Sequence, residues 1–206
     1  MDSLIQMQAV VETPDYEGEF VCPWEVPKFQ PFSLLRLSGE MTYPEVGLVV
    51  AQLAQYNQIE LTNDKQVVLR DILKTEGLVL PGGIQVISEG QKPISPSCCG
   101  GLETWREWID FLQTGDSPWL GHDPSPWMEN QGDVIRIWSD GGMEPAKNAF
   151  YIDVSRSDFE RGLRQVEQEL QAFLFCIESW AQEIEFAESR ELLQKVDECF
   201  QIGTAF

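Results

Sequence analysis

A chain of 206 residues can bury a full core without a disulfide or metal staple, and 43% apolar with 11% aromatic residues excludes a wholly disordered polymer. The charge balance, 14 basic against 34 acidic side chains or −20 at pH 7, argues against direct binding of DNA or RNA, because the sequence-independent part of that affinity comes from Lys and Arg neutralising phosphates. An acidic surface of this kind keeps a protein soluble and is suited to a basic partner.

Residues 1–31 carry Pro14, Pro23, Pro27 and Pro31 around an acidic patch of Asp15, Glu17 and Glu19, which predicts an extended arm pinned to the body by Trp24, Phe29 and Phe32. The opening residues lack a basic leader followed by an apolar core, and no run approaches the roughly 18 apolar residues of a membrane span. The expectation is a cytoplasmic protein with an arm, 1–31, and a single domain, 32–206.

Apolar residues at helical spacing predict one helix over Tyr43–Tyr56 and a second over Asp64–Thr75, closed by Gly77. In LVLPGGIQVI, Pro81 and Gly82 fit the centre of a type II turn, so two short strands joined by a hairpin or a bend are expected there. Strands are expected at Val134–Trp138 and Phe150–Val154, the second with Phe150, Ile152 and Val154 inward and Tyr151 and Asp153 outward.

Ser157 and Glu160 match a capping box that would open a long helix. Along it Phe159, Leu163, Val166, Leu170, Phe173, Ile177, Trp180, Ile184 and Ala187 form a heptad seam, widened by Leu174, Phe175 and Cys176. Packing on its own sheet is the preferred reading, and a homodimer through the 157–187 helix is the alternative. A bend near Ser189 and a final helix stopped at Gly203 follow. Strands and segregated helices without βαβ alternation give an α+β fold: a small antiparallel sheet packed by several helices, one of them long, C-terminal and amphipathic.

The segment from Cys98 to Trp138 concentrates the unusual residues. It holds five of the seven tryptophans, two of the five cysteines and the one histidine. Leu102, Trp105, Trp108, Ile109 and Leu112 share a helical face that Gly115 would close, which makes both tryptophans core residues. The loop SPWLGHDPSPWMEN is stiffened by Pro118, Pro124 and Pro126 and presents Trp119 and Trp127, residue types that make interface hot spots. Asp116, Trp119, His122, Asp123, Trp127 and Glu129 are the candidate binding residues.

The odd cysteine count, with Cys98 and Cys99 adjacent and no CxxC pair, argues against a secreted disulfide framework and for reduced thiols. Cys98, Cys99 and His122 form an alternative pocket. A Cys-His pair needs a third group to orient the imidazole, and Asp123 lies too close in sequence to be assumed for that role. A zinc site needs three or four convergent ligands, and adjacent cysteines seldom both face one ion, so no metal and no cofactor are expected. The sequence has no dinucleotide, P-loop, nucleophile-elbow, HExxH or EF-hand pattern, and no catalytic residue is assigned. These features favour a non-enzymatic interaction protein with a basic protein partner, an immunity-type neutraliser of a basic toxin being one instance. The rival is a small enzyme or ligand-binding domain built on the Cys/His/carboxylate residues of 98–129.

Overall fold

The computed structural model describes residues 5–16 and 20–203; of the predicted acidic patch, Glu17 and Glu19 lie outside the described residues. The fold is α+β. In chain order the elements are β1 (Ile5–Glu12), β2 (Leu34–Arg36), α1 (Tyr43–Tyr56), α2 (Lys65–Lys74), β3 (Gly82–Ser88), α3 (Glu107–Thr114), β4 (Trp127–Asn130), β5 (Val134–Trp138), β6 (Tyr151–Ser155), α4 (Arg156–Glu183) and α5 (Ser189–Phe200). The strands make two three-stranded sheets, ordered β2-β1-β3 and β4-β5-β6. No helix among the described residues is long and apolar enough to cross a membrane.

The described chain divides into two compact units, one holding 5–10 and 81–168, the other 11–16, 20–80 and 169–203. Residues 5–12, expected to be part of an extended arm, are the strand β1, and Met7, Ala9, Val10 and Val11 are buried there. In the first unit Gln8 Nε2 donates to Gln85 Oε1 at 2.7 Å, and Gly162 of α4 sits so close to Met7 that a Cβ would meet its sulfur at 2.5 Å. Trp108 stacks on Phe159 at 5.9 Å, and Trp105 and Phe111 are fully buried, as the aromatic stripe predicts. The antiparallel β4-β5-β6 sheet aligns Trp127 with Trp138 and Trp138 with Tyr151. Ile152 and Val154 point inward and Tyr151 and Asp153 outward, while Phe150 is half-buried.

In the second unit, Thr42 opens α1 by donating its amide to Glu45 Oε2 at 2.8 Å, the reciprocal half of a capping box. α1 is buried from Val46 through Ala54. Trp24 is buried against it, its Nε1 donating to Gly47 O at 2.8 Å and its ring meeting Trp180 edge-on at 5.1 Å. Phe29 pairs instead with Tyr16 and Phe20, and Phe32 is exposed. Asp64 caps α2 by accepting from Gln66 N at 2.9 Å.

Four local expectations are corrected. Pro81 and Gly82 make no type II turn: Gly82 and Gly83 have φ of 152° and 139°, and Gly82 N donates to Gly100 O at 3.1 Å. The two glycines serve close approach, since a Cβ on Gly83 would meet Pro96 at 3.3 Å. The hairpin turn lies further on, where Gln91 N donates to Ser88 O at 3.1 Å and Gly90 takes φ 78°. The cap of α4 is Ser155, whose Oγ accepts from Asp158 N at 3.1 Å, because β6 runs to Ser155 and the helix starts directly after it. The heptad seam is buried from Phe159 to Trp180 but ends there. α4 stops at Glu183, Glu185 takes φ 59°, Phe186 is buried in the turn and Ala187 is exposed. Finally, Phe175 is 65% exposed and does not widen the seam.

Replacing the true cap therefore costs stability. Ser155→Ala is expected to destabilise by about 0.5–2 kcal/mol in urea unfolding, with Ser157→Ala near neutral; the opposite ranking would return the cap to Ser157.

Candidate functional site

The site is built in the first unit, where residues 97–98 pair with 120–122. Ser97 N donates to Leu120 O at 3.1 Å and His122 N donates to Cys98 O at 2.9 Å. Ser97 Oγ donates its one proton to Pro124 O at 2.6 Å and lies 3.2 Å from Leu120 O. Gly121 makes this approach possible: it takes φ 102°, and a Cβ there would meet Ser97 Oγ and Cys98 O at 2.5 and 2.7 Å.

Cys98 and His122 are partners across this bridge, so their side chains emerge on one side, as in any cross-strand pair. In an extended chain Cys99 would point the opposite way. It does not, because the backbone turns at this residue: Cys99 takes φ 62°, and Gly100 N returns to Ser97 O at 2.8 Å. Both sulfurs consequently lie on the same side, 3.7 Å apart. Together with a ring nitrogen of His122 they form a group whose candidate ligand atoms all lie within 4.8 Å of one another. The expectation that adjacent cysteines diverge is thereby corrected.

Asp123 also adopts a left-handed φ, 55°, which folds its carboxylate back onto its neighbour; Oδ2 lies 2.9 Å from His122 Nδ1. Asp123, although adjacent in sequence, is thus the group that orients the imidazole. An ionised carboxylate only accepts hydrogen bonds, so in the neutral ring this contact places the proton on Nδ1 and leaves Nε2 the lone pair. The Asp123 contact, then that of Cys99, raises the His122 pKa. The contact with His122, then that with Cys98, holds Cys99 below the ordinary thiol range. Elsewhere, burial pushes Cys22 up to about 11 and raises Cys176, so the exposed Cys99 thiol differs from these half-buried ones.

Trp119 flanks the cluster. Its indole Nε1 donates to Cys99 O at 3.1 Å, its amide donates to Glu107 Oε2 at 3.2 Å, and its ring lies 6.4 Å from that of His122. Pro118 and Leu120 on either side are buried, while Trp119 itself is 42% exposed. The other candidates sit in different surroundings. Trp127 belongs to β4 and stacks on Trp138 at 6.0 Å. Glu129 accepts from Trp138 Nε1 at 3.0 Å, beside Arg136, which pairs with Asp153 at 2.7 Å. Asp116 follows the Gly115 cap of α3, its amide donating to Thr114 Oγ1 at 3.1 Å. Sequence reasoning missed Ser97 and Glu107, which position the cluster; the signals were the glycines of CCGG and GHDP, which permit close backbone approach.

No protein-family model matches this chain, and neither the curated proteins nor the solved structures contain a match to it. The chemistry of the site is therefore read from its own geometry. That geometry offers two soft thiol ligands, one imidazole with a fixed tautomer, and a carboxylate behind it.

Because Asp123 is the main cause of the raised His122 pKa, proton NMR should find the ring titrating above an ordinary histidine. Asp123→Asn should lower the midpoint; a wild-type midpoint at or below the ordinary value would contradict the contact.

Proposed function

We propose that this protein binds a thiophilic divalent metal ion, zinc in the first instance, through Cys98, Cys99 and His122. One observation carries the reading. Two Zn–S bonds of about 2.3 Å at a tetrahedral angle subtend a sulfur–sulfur edge of about 3.8 Å, and the Cys98 and Cys99 sulfurs stand 3.7 Å apart. A disulfide would instead bring them to about 2.05 Å.

The surroundings support the same reading. Metal-bound histidines commonly donate their second ring N–H to a carboxylate, which fixes the tautomer and strengthens the ligand; Asp123 is placed for that role at 2.9 Å. Thiolate and imidazole donors suit zinc better than magnesium or calcium, which take oxygen ligands. Three protein ligands leave one tetrahedral position for water or an incoming group. A reducing compartment, the cytoplasm, suits two exposed thiols kept free for an ion.

The exposed indole of Trp119 favours a second reading alongside the first. A rigid aromatic next to the cluster is the kind of anchor a protein partner would cover, and the −20 charge would steer a basic one towards it. The immunity-type expectation is a special case of this reading.

Titration calorimetry with zinc tests the proposal. A single site is expected, with affinity falling as pH falls because protons compete for the thiolates. Asp123→Asn should weaken binding about 10- to 100-fold, and Cys98→Ser, Cys99→Ser and His122→Ala should each weaken it more. Unchanged affinity in the three ligand variants would overturn the proposal.

A further inference from the structure

We infer that Cys98 and Cys99 form a reversible disulfide with each other when the protein meets a hydroperoxide, and that this oxidation releases the metal ion. The chemistry of the pair rests on its own geometry; only the release rests on the metal reading proposed above.

Both residues are exposed, and the sulfurs stand 3.7 Å apart, so closure of the bond requires an approach of under about 2 Å. The turn at Cys99, with φ 62°, holds both side chains on one face, where an extended chain would point them apart. The remaining cysteines, Cys22, Cys176 and Cys199, are half-buried.

The reaction balances without any group beyond the oxidant. One of the two sulfurs, as thiolate, attacks a hydroperoxide oxygen; the O–O bond breaks, an S–O bond forms, and the departing alkoxide takes a proton to leave as the alcohol. The second sulfur attacks that sulfenic acid, the S–S bond forms, the S–O bond breaks, and hydroxide leaves as water with the second thiol's proton. Two thiols lose two electrons and the hydroperoxide gains them.

Two physical consequences follow. A disulfide sulfur is no longer a thiolate ligand, so oxidation removes two of the three donors at once. The Cα atoms of adjacent residues are about 3.8 Å apart across a trans peptide, below the usual disulfide span of about 4.4–6.8 Å. The bridge is therefore strained, and strained, exposed bridges are the readily reduced ones.

The test uses the full chain loaded with zinc and treated with a stoichiometric amount of hydrogen peroxide. Intact mass and peptide mapping follow the cysteines, and a chromophoric chelator follows the ion. The expected result is loss of two hydrogen masses confined to the peptide holding Cys98 and Cys99, release of an equal amount of zinc, and reversal of both changes by a dithiol with added zinc. Cys98→Ser and Cys99→Ser, checked for folding by circular dichroism, should each abolish the two-hydrogen loss. Stepwise oxygen addition at these residues, or disulfide-linked dimers in place of the internal bridge, would overturn the inference. A bridge that forms while zinc stays bound would overturn the coupling. If no zinc is ever taken up but the bridge forms, the metal reading fails and the redox pair stands; zinc uptake without bridge formation is the reverse outcome.

Discussion

The close backbone pairing of 97–98 with 120–122 is the constraint on which the site depends. Two peptide hydrogen bonds, Ser97 N to Leu120 O and His122 N to Cys98 O, bring together residues more than twenty positions apart. The approach tolerates no side chain at Gly121 and little at Gly100. With that pairing made, Cys98 and His122 must share a face, and the left-handed turn at Cys99 adds the second sulfur. Non-glycine residues in this backbone region cost energy and persist only where their surroundings over-determine them. Here the surroundings do so: the cluster residues Cys99 and Asp123 both adopt positive φ, and each thereby turns its side chain onto the histidine.

The rest of the first unit keeps that pairing in place. Pro118, Leu120, Ser125 and Pro126 are buried around the loop, and Met128 N donates to Ser117 Oγ at 2.9 Å where the loop enters β4. Glu107, in the first turn of α3, holds the amide of Trp119. A rigid scaffold under an exposed cluster limits the reorganisation that binding an ion would require, which is how preorganised sites gain affinity. The aromatic row of Trp127, Trp138 and Tyr151 consolidates the sheet next along the chain. There Arg136 lies 3.8 Å from the Tyr151 ring centre while paired with Asp153.

Much of the fold was legible because it is written in local periodicity. The helix over Tyr43–Tyr56 and the strand over Val134–Trp138 fall where their apolar spacing places them. The boundaries that failed were those with two equivalent local solutions. Ser155 with Asp158 and Ser157 with Glu160 both satisfy a capping pattern, and only the end of β6 decides between them. The glycines at 82 and 83 resemble a turn locally, yet their use is set by the distant Gly100 and Pro96. The same reason left the Cys98, Cys99 and His122 pocket an alternative in the sequence rather than its leading reading. Its residue types were visible, as were the stiff loop and the lone histidine, but the convergence of Cys98, Cys99 and His122 depends on a non-local backbone contact and two unusual φ values that composition does not encode.

A single arrangement therefore carries the functional account: two adjacent sulfurs at a metal-like separation, with an oriented imidazole beside them. X-ray absorption at the zinc edge, on the protein loaded with one equivalent, tests it most directly. Two sulfur neighbours at about 2.3 Å and one imidazole nitrogen at about 2.0–2.1 Å are expected, with the fourth position filled by a light atom. A shell of nitrogen and oxygen alone would contradict it.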